Sequence, residues 1–440
     1  MTGLRQESEA FLDAYQRLNT EQKLAVDTID GPVMVIAGPG TGKTQILTLR
    51  IAKILLETDT APESILALTF TESGARAMRE RLRTYVGALA YRLPIYTFHG
   101  FAETVIKQYP DAYPHIIGGR AATDLERITI IEQILEDAHF TVLRPRGNPA
   151  YYVNPILGEL SALKRENITL EVLRDAIVRE EVALTKIPKI HEKGAHKGKV
   201  RSEYQKAEKN LVRNQELVHV YELYQAMLRS EQLYDYDDMM TETVAVLESD
   251  ESVLRDLQES YQYLLADEHQ DVNGAQNRIL DLLANYHDTP NIFVVGDEKQ
   301  AIFRFQGASI QNFLFFEDRF SGTHTITLET NYRSGQTILD AAQDVIAVED
   351  GPLLALRQPL VAATVESGVV SERAFSHQAV EDESLVAAIK ALVGEGVSPD
   401  EIAVIVRTNR EVEALSTRLR AANVPTIASA ESDILTHPVT

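Results

Sequence analysis

The stretch Val33-Met34-Val35-Ile36-Ala37-Gly38-Pro39-Gly40-Thr41-Gly42-Lys43-Thr44 decides how this chain is read. Its apolar start, Val33 to Ile36, has the character of a buried strand. A glycine loop follows, and Ile46, Leu47, Ile51, Ile54 and Leu55 then recur at helical spacing. Strand, glycine loop, helix is the context in which a phosphate-loop sequence carries meaning. Gly38, Gly40 and Gly42 let backbone N–H groups turn inward around phosphate oxygens, and the helix N-terminus adds its positive end. Lys43 is expected to reach β- and γ-phosphates, and the Thr44 hydroxyl to sit on Mg2+. The expected nucleotide-binding set is Ala37, Gly38, Pro39, Gly40, Thr41, Gly42, Lys43 and Thr44, with Gln45 and Arg50 from the same helix. Ala37 stands where such loops usually begin with glycine. A tight strand-to-helix turn would explain the glycines, but not Lys43-Thr44.

The totals bound the rest. At 440 residues, 44% hydrophobic and 25% charged, the composition is that of a globular chain with room for two or three domains. No apolar run reaches membrane-spanning length, and the N-terminal residues lack the basic-then-apolar pattern of a signal peptide. The absence of cysteine excludes disulfides, thiolate metal sites and cysteine nucleophiles, and fits a cytoplasmic protein. A net charge of −22 repels nucleic acid, so any contact with a phosphate backbone has to come from a local groove or patch.

Along the chain, Asn19 or Thr20 caps a helix through Leu24, Ala25 and Ile29. Strands are expected at Ile65–Phe70 and Ile95–His99, each running into a helix, which points to a parallel α/β sheet. From about Tyr109 to Asp250 helical periodicity dominates, as in an all-helical insertion. Within it lies a basic stretch, with Lys189, Lys193, Lys197, Lys199, Arg201, Lys206, Lys209 and Arg213 set against Glu192, Glu203 and Glu208. This stretch reads equally as a solvated face and as a phosphate contact.

Strand character returns at Tyr263-Leu264-Leu265-Ala266, followed directly by Asp267-Glu268. An acidic pair after a strand, downstream of a phosphate loop, is the second half of a nucleotide hydrolase. Asp267 holds Mg2+ through water, and Glu268 orients and deprotonates the attacking water. Gln300 lies just past the next strand, Asn291–Asp297, at the edge that faces the ligand crevice. Beyond Thr325–Leu328, Arg333 suits a phosphate and Tyr332 suits a base, unless both belong to a surface turn. Ile402–Val406 is expected to be a strand between two helices of a second α/β unit.

Taken in order, these motifs resemble the UvrD/Rep/PcrA group of superfamily 1 DNA helicases. The matching stretches are LNTEQKLAV (Leu18–Val26), AGPGTGKT, LTFTESGARAM (Leu68–Met78), YTFHGF (Tyr96–Phe101), YDYDDMM (Tyr234–Met240), ADEHQD (Ala266–Asp271), VVGDEKQAIFRFQGA (Val294–Ala308), LETNYRS (Leu328–Ser334) and EIAVIVRTNREVEAL (Glu401–Leu415). The resemblance implies a P-loop, RecA-like parallel-sheet domain of the α/β class with a large all-helical insertion, plus part of a second RecA-like domain. The implied divisions are 1–108 and 251–328 for the first lobe, 109–250 for the insertion and 329–440 for the second lobe. It also implies an ATP-dependent, 3′-to-5′ motor on single-stranded DNA that works at junctions with duplex. Gln22 would read the adenine edge and Tyr332 would stack on the ring. Gln300 and Arg333 would sense the γ-phosphate. Thr69, Phe70, His99, Phe303, Arg304 and Phe305 would line the strand path, where stacking on aromatic rings holds a base without reading sequence.

The departures are specific. Phe305 stands where tryptophan is usual, Glu72-Ser73-Gly74 where Asn-Lys-Ala is usual, and His269, expected to titrate near neutrality, where an aromatic residue is common. The family's second helical insertion and late arginine are not found up to Thr440, so a fragment with weak turnover is expected. Two rivals stay open. One is the helicase part of a RecB-like helicase–nuclease; the other is an ATP-gated DNA-binding module without catalysis.

Overall fold

The structure is a computed structural model that describes residues 8–137, 139–145, 147–191, 197–300, 316–346 and 359–428. The chain forms two compact units, Met1–Gly368 and Val369–Thr440. Ten strands occur among the described residues. They are β1 (Val33–Ala37), β2 (Ile65–Thr69), β3 (Ile95–Thr97), β4 (Arg120–Ala121), β5 (Leu233–Tyr234), β6 (Tyr263–Ala266), β7 (Ile292–Gly296), β8 (His324–Leu328), β9 (Thr330–Asn331) and β10 (Val361–Ala362).

Six of them build one all-parallel sheet in the order β3-β2-β6-β7-β1-β8. A parallel sheet is buried on both faces, which is why β1, β2, β6 and β7 are continuous apolar runs with every residue buried. Alternate side chains feed two cores. Met34, Ile36, Leu66, Leu68, Leu264 and Val294 pack on one face against the helices Phe98–Gln108 and Gly274–Ala284. Val33, Val35, Ile65, Ala67, Leu265, Phe293 and Val295 pack on the other against the helices Lys43–Glu57 and Glu72–Val86.

The helical insertion has a core of its own around Ile131, Ile156, Leu160, Val220, Tyr224 and Leu228. Its chain enters and leaves where Arg120 and Ala121 pair with Leu233 and Tyr234. Lys164, 1% exposed, is paired with the carboxylates of Asp235 and Asp238 beneath this core. A lysine is buried so deeply only when its charge is matched.

Two local expectations differ from the structure. The strand expected over Ile95–His99 stops at Thr97, because the Thr97 hydroxyl accepts from Gly100 N and caps a helix that starts at Phe98. Ile402–Val406 forms no strand, since no described segment of the second unit pairs with it; that unit packs the helices Gln378–Gly394 and Asn409–Ala421 around Ile389, Leu415 and Leu419. β9 and β10 pair with each other inside the first unit.

Arg50 requires a correction. It lies two turns into its helix, 1% exposed, and its guanidinium turns away from the glycine loop. It donates to the carbonyls of Ala25, Thr28 and Ile29 at the end of the helix Thr20–Asp27, and it covers the Phe293 ring at 4.6 Å. Its role is to satisfy helix-end carbonyls that burial would otherwise strand, and burial pushes its pKa down to about 9. Arg50→Met should therefore lower unfolding stability by roughly 2–4 kcal/mol in urea titrations, while the folded fraction keeps its nucleotide affinity. Unchanged stability with lost affinity would return Arg50 to the nucleotide site.

Candidate active site

β1 delivers the glycine loop to the carboxyl edge of the sheet. Gly40 and Gly42 adopt φ values of +70° and +92°, which L side chains rarely tolerate. A Cβ on Gly40 would meet Arg333 and Asn331 at 2.7 Å, so this glycine is also required by close approach. Gly42 caps the helix Lys43–Glu57 without any side-chain hydrogen bond. Gln45 N and Ile46 N donate to Gly42 O, and the helix dipole favours an anion at this end. Within the loop the Thr41 hydroxyl donates to Gly38 O at 2.8 Å. The Gln22 side chain, 3% exposed, donates to Thr41 O at 2.8 Å and accepts from Asn19 N. Gln22 thus braces the loop through the Thr41 carbonyl.

β6 delivers the acids. Thr44 Oγ1 lies 3.4 Å from Asp267 Oδ2, and Lys43 Nζ lies 3.6 Å from Glu268 Oε2. Asp267 is 5% exposed. Its burial, then the neighbouring Glu268 charge, push its pKa up to about 6, so the carboxylate form favours a nearby cation. The donors available beside the loop, a hydroxyl and a carboxylate, are hard oxygens that suit Mg2+ completed by water and phosphate. Among the described residues no group of three or more His, Asp or Glu forms a metal cage. Glu268 takes a left-handed conformation, φ +50° and ψ +45°, as it enters the turn His269–Asp271. A strained non-glycine backbone of this kind persists only where its surroundings fix it.

β7 delivers Gln300. The Gln300 side chain donates to Asp297 Oδ2 at 2.6 Å, and Asp297 feels the Lys43 charge, which counters the upward push of burial on its carboxyl. The segment after β8 reaches the loop from the other side. Tyr332 N donates to Gly40 O at 2.9 Å, and the Asn331 side chain donates to Pro39 O. Asn331 Oδ1 accepts from Arg333 N and Ser334 N, which fixes the turn that carries Arg333 beside Gly40. Tyr332 is 44% exposed.

A separate cleft of about 270 Å3 opens where the sheet meets the helical insertion. Phe70, Thr97, His99, Arg165, Tyr236 and Asp271 are among its lining residues. The His99 ring stacks on Tyr236 at 4.1 Å and 14°. Thr69 is buried at the end of β2 behind Phe70. Phe303, Arg304 and Phe305 lie outside the described residues. His269 is fully buried, and burial pushes its pKa down to about 4. It is therefore neutral at pH 7, against the expectation that it titrates there.

Sequence reasoning names neither Tyr236 nor Gln270 nor Asn331 as site residues. Each sits inside a quoted motif, so the signal was their position in YDYDDMM, ADEHQD and LETNYRS.

Two family profiles match the chain. That of the UvrD/REP helicase N-terminal domain covers residues 18–321, and that of the UvrD-like helicase C-terminal domain covers residues 326–436. The ATP-dependent DNA helicase PcrA of Staphylococcus epidermidis is 31% identical over 412 residues, which is 93% of this chain and 50% of that protein. PcrA of Staphylococcus aureus matches to the same extent. The chain thus spans about half the length of these curated relatives. By both profiles, this chain belongs to the UvrD/REP helicase family.

Proposed function

We propose that this chain is an ATP-dependent DNA helicase in which Mg-ATP hydrolysis drives movement along single-stranded DNA and opening of duplex, with 3′-to-5′ polarity. One observation carries the reading: Lys43 and Thr44, beyond the end of β1, and Asp267 and Glu268, just past β6, converge at the same sheet edge, 3.4–3.6 Å apart.

In this reading the loop N–H groups and the Lys43 ammonium hold the β- and γ-phosphates. Thr44 and Asp267 hold Mg2+, which supplies charge neutralisation to the phosphates when bound. Glu268 accepts the proton of the attacking water, and Gln300 and Arg333 attend the γ-phosphate. Tyr332 stacks on the base, with Gln22 and Gln45 at the nucleotide's edge. The single strand runs past Thr69, Phe70 and His99 and on to Phe303, Arg304 and Phe305. Junction duplex is held by the basic stretch. There Lys189, Lys197, Lys199, Lys206, Lys209 and Arg213 are exposed, and none has a carboxylate within 4.0 Å among the described residues. Ile190 and Val200 form an antiparallel bridge within this stretch.

Steady-state ATP turnover and nucleotide binding test the catalytic assignment together. Glu268→Gln should retain nucleotide affinity and lose about 10²–10⁴-fold in turnover, and Lys43→Ala should lose affinity as well. Equal turnover in Glu268→Gln and the parent would remove Glu268 from catalysis, and zero turnover in both would favour an ATP-gated binding module.

Replacing Lys197, Lys199, Lys206 and Lys209 with glutamine should flatten the salt dependence of tailed-duplex binding by up to about 0.9 in log–log slope per phosphate contact removed. Single-strand affinity should stay unchanged. An unchanged slope would make the stretch a solvated face.

A further inference from the structure

One buried amide joins three parts of the first unit. Gln270, 1% exposed, sits on the turn His269–Asp271. Its Nε2 donates to Glu268 Oε2 at 2.8 Å and to Asp271 Oδ2 at 3.3 Å. Its Oε1 accepts from Asp297 N at 2.9 Å.

The three partners serve different places. Glu268 faces Lys43 beside the glycine loop. Asp271 lines the cleft that also holds Phe70, His99 and Tyr236. Asp297 holds the Gln300 side chain at 2.6 Å and Lys299 N at 3.0 Å. A primary amide has two N–H donors and one carbonyl, and Gln270 engages both ends. In a buried setting, a shift toward one partner strands a polar atom on another, so the three move together or lose hydrogen bonds.

We propose that Gln270 is a positioning residue that couples occupancy of the Phe70–His99–Tyr236 cleft by single-stranded DNA to the geometry of Glu268 and Gln300. A strand entering the cleft displaces Asp271. Gln270 follows, and it re-aims the Glu268 carboxylate and, through the Asp297 backbone, the segment that ends in Gln300. The left-handed backbone of Glu268 suits such a hinge, because its conformation is held by neighbours and not by local preference. This inference rests on the function proposed above.

The test is thermodynamic linkage between the two ligands. The affinity of a fluorescent, non-hydrolysable Mg-ATP analogue is measured with and without oligo(dT), and the reverse, on the whole chain. Coupling is reciprocal, so both directions must give one factor. In the parent the factor should be at least about 5-fold, and in Gln270→Met, which keeps the volume and loses the hydrogen bonds, it should fall to about 1. Each ligand alone should still bind within about 3-fold of the parent, because Gln270 touches neither of them. Gln270→Ala serves as the second variant and should behave alike, with melting temperatures recorded for all three proteins.

A coupling factor that survives in both variants would overturn the inference, and would leave Gln270 as a peg between β6 and β7. A parent that binds both ligands without mutual effect would overturn it too. A parent that binds neither would show, before any variant is made, that the proposed function itself fails.

Discussion

Burying the Asp267 carboxylate next to a half-exposed Glu268, with one lysine in reach, is the constraint on which this structure turns. Asp267 is nearly inaccessible, Glu268 is its neighbour, and Lys43 reaches Glu268 from the start of the helix that follows β1. Burial first, and then the adjacent Glu268 charge, push the Asp267 carboxyl upward. The arrangement becomes favourable when positive charge lies between the acids and the loop. The order β2-β6-β7-β1 makes room for it. One strand, β7, separates the acids from the loop, so β1 and β6 stand about 10 Å apart at two strand spacings. A long lysine side chain spans that gap, and the exit of β7, at Asp297 and Gln300, forms its floor.

Much of this is legible in the sequence for a simple reason. Parallel strands buried on both faces are unbroken apolar runs, and Val33–Ile36, Tyr263–Ala266 and Ile292–Val295 can hardly be read otherwise. The glycines and acids that follow them are local features, visible at fixed offsets from each strand. What sequence does not carry is the side-chain direction several residues on. Arg50, a cation near a phosphate loop, looks like an anion ligand; only the packing of two helices turns it toward the carbonyls of Ala25, Thr28 and Ile29. His269 fails in the same way, since its neutrality comes from complete burial and nothing local announces that. The Thr97 cap is a contest between strand and helix propensities over three residues, and the hydroxyl decides it. Asn331 is illegible as a site residue because its partner Pro39 lies 292 positions away in the chain.

In the function proposed for this chain, the same long-range closeness reconciles its acidity with a polyanionic partner. Charge summed over the whole molecule says little about the field at one edge. The acids at the sheet edge are matched by Lys43, and those beneath the insertion are matched by Lys164. The basic stretch around Ile190 and Val200, by contrast, keeps its cations exposed to solvent. Local imbalance of both signs is what the proposed function requires of so acidic a chain.

The most direct measurement is a crystal structure of the chain with Mg2+ and a non-hydrolysable ATP analogue. The account requires the β- and γ-phosphates against the loop Gly38–Thr44, with Lys43 drawn onto them, Thr44 on the metal and Glu268 facing the γ-phosphate. Phosphates bound on another surface, with Lys43 still paired to Glu268, would contradict it.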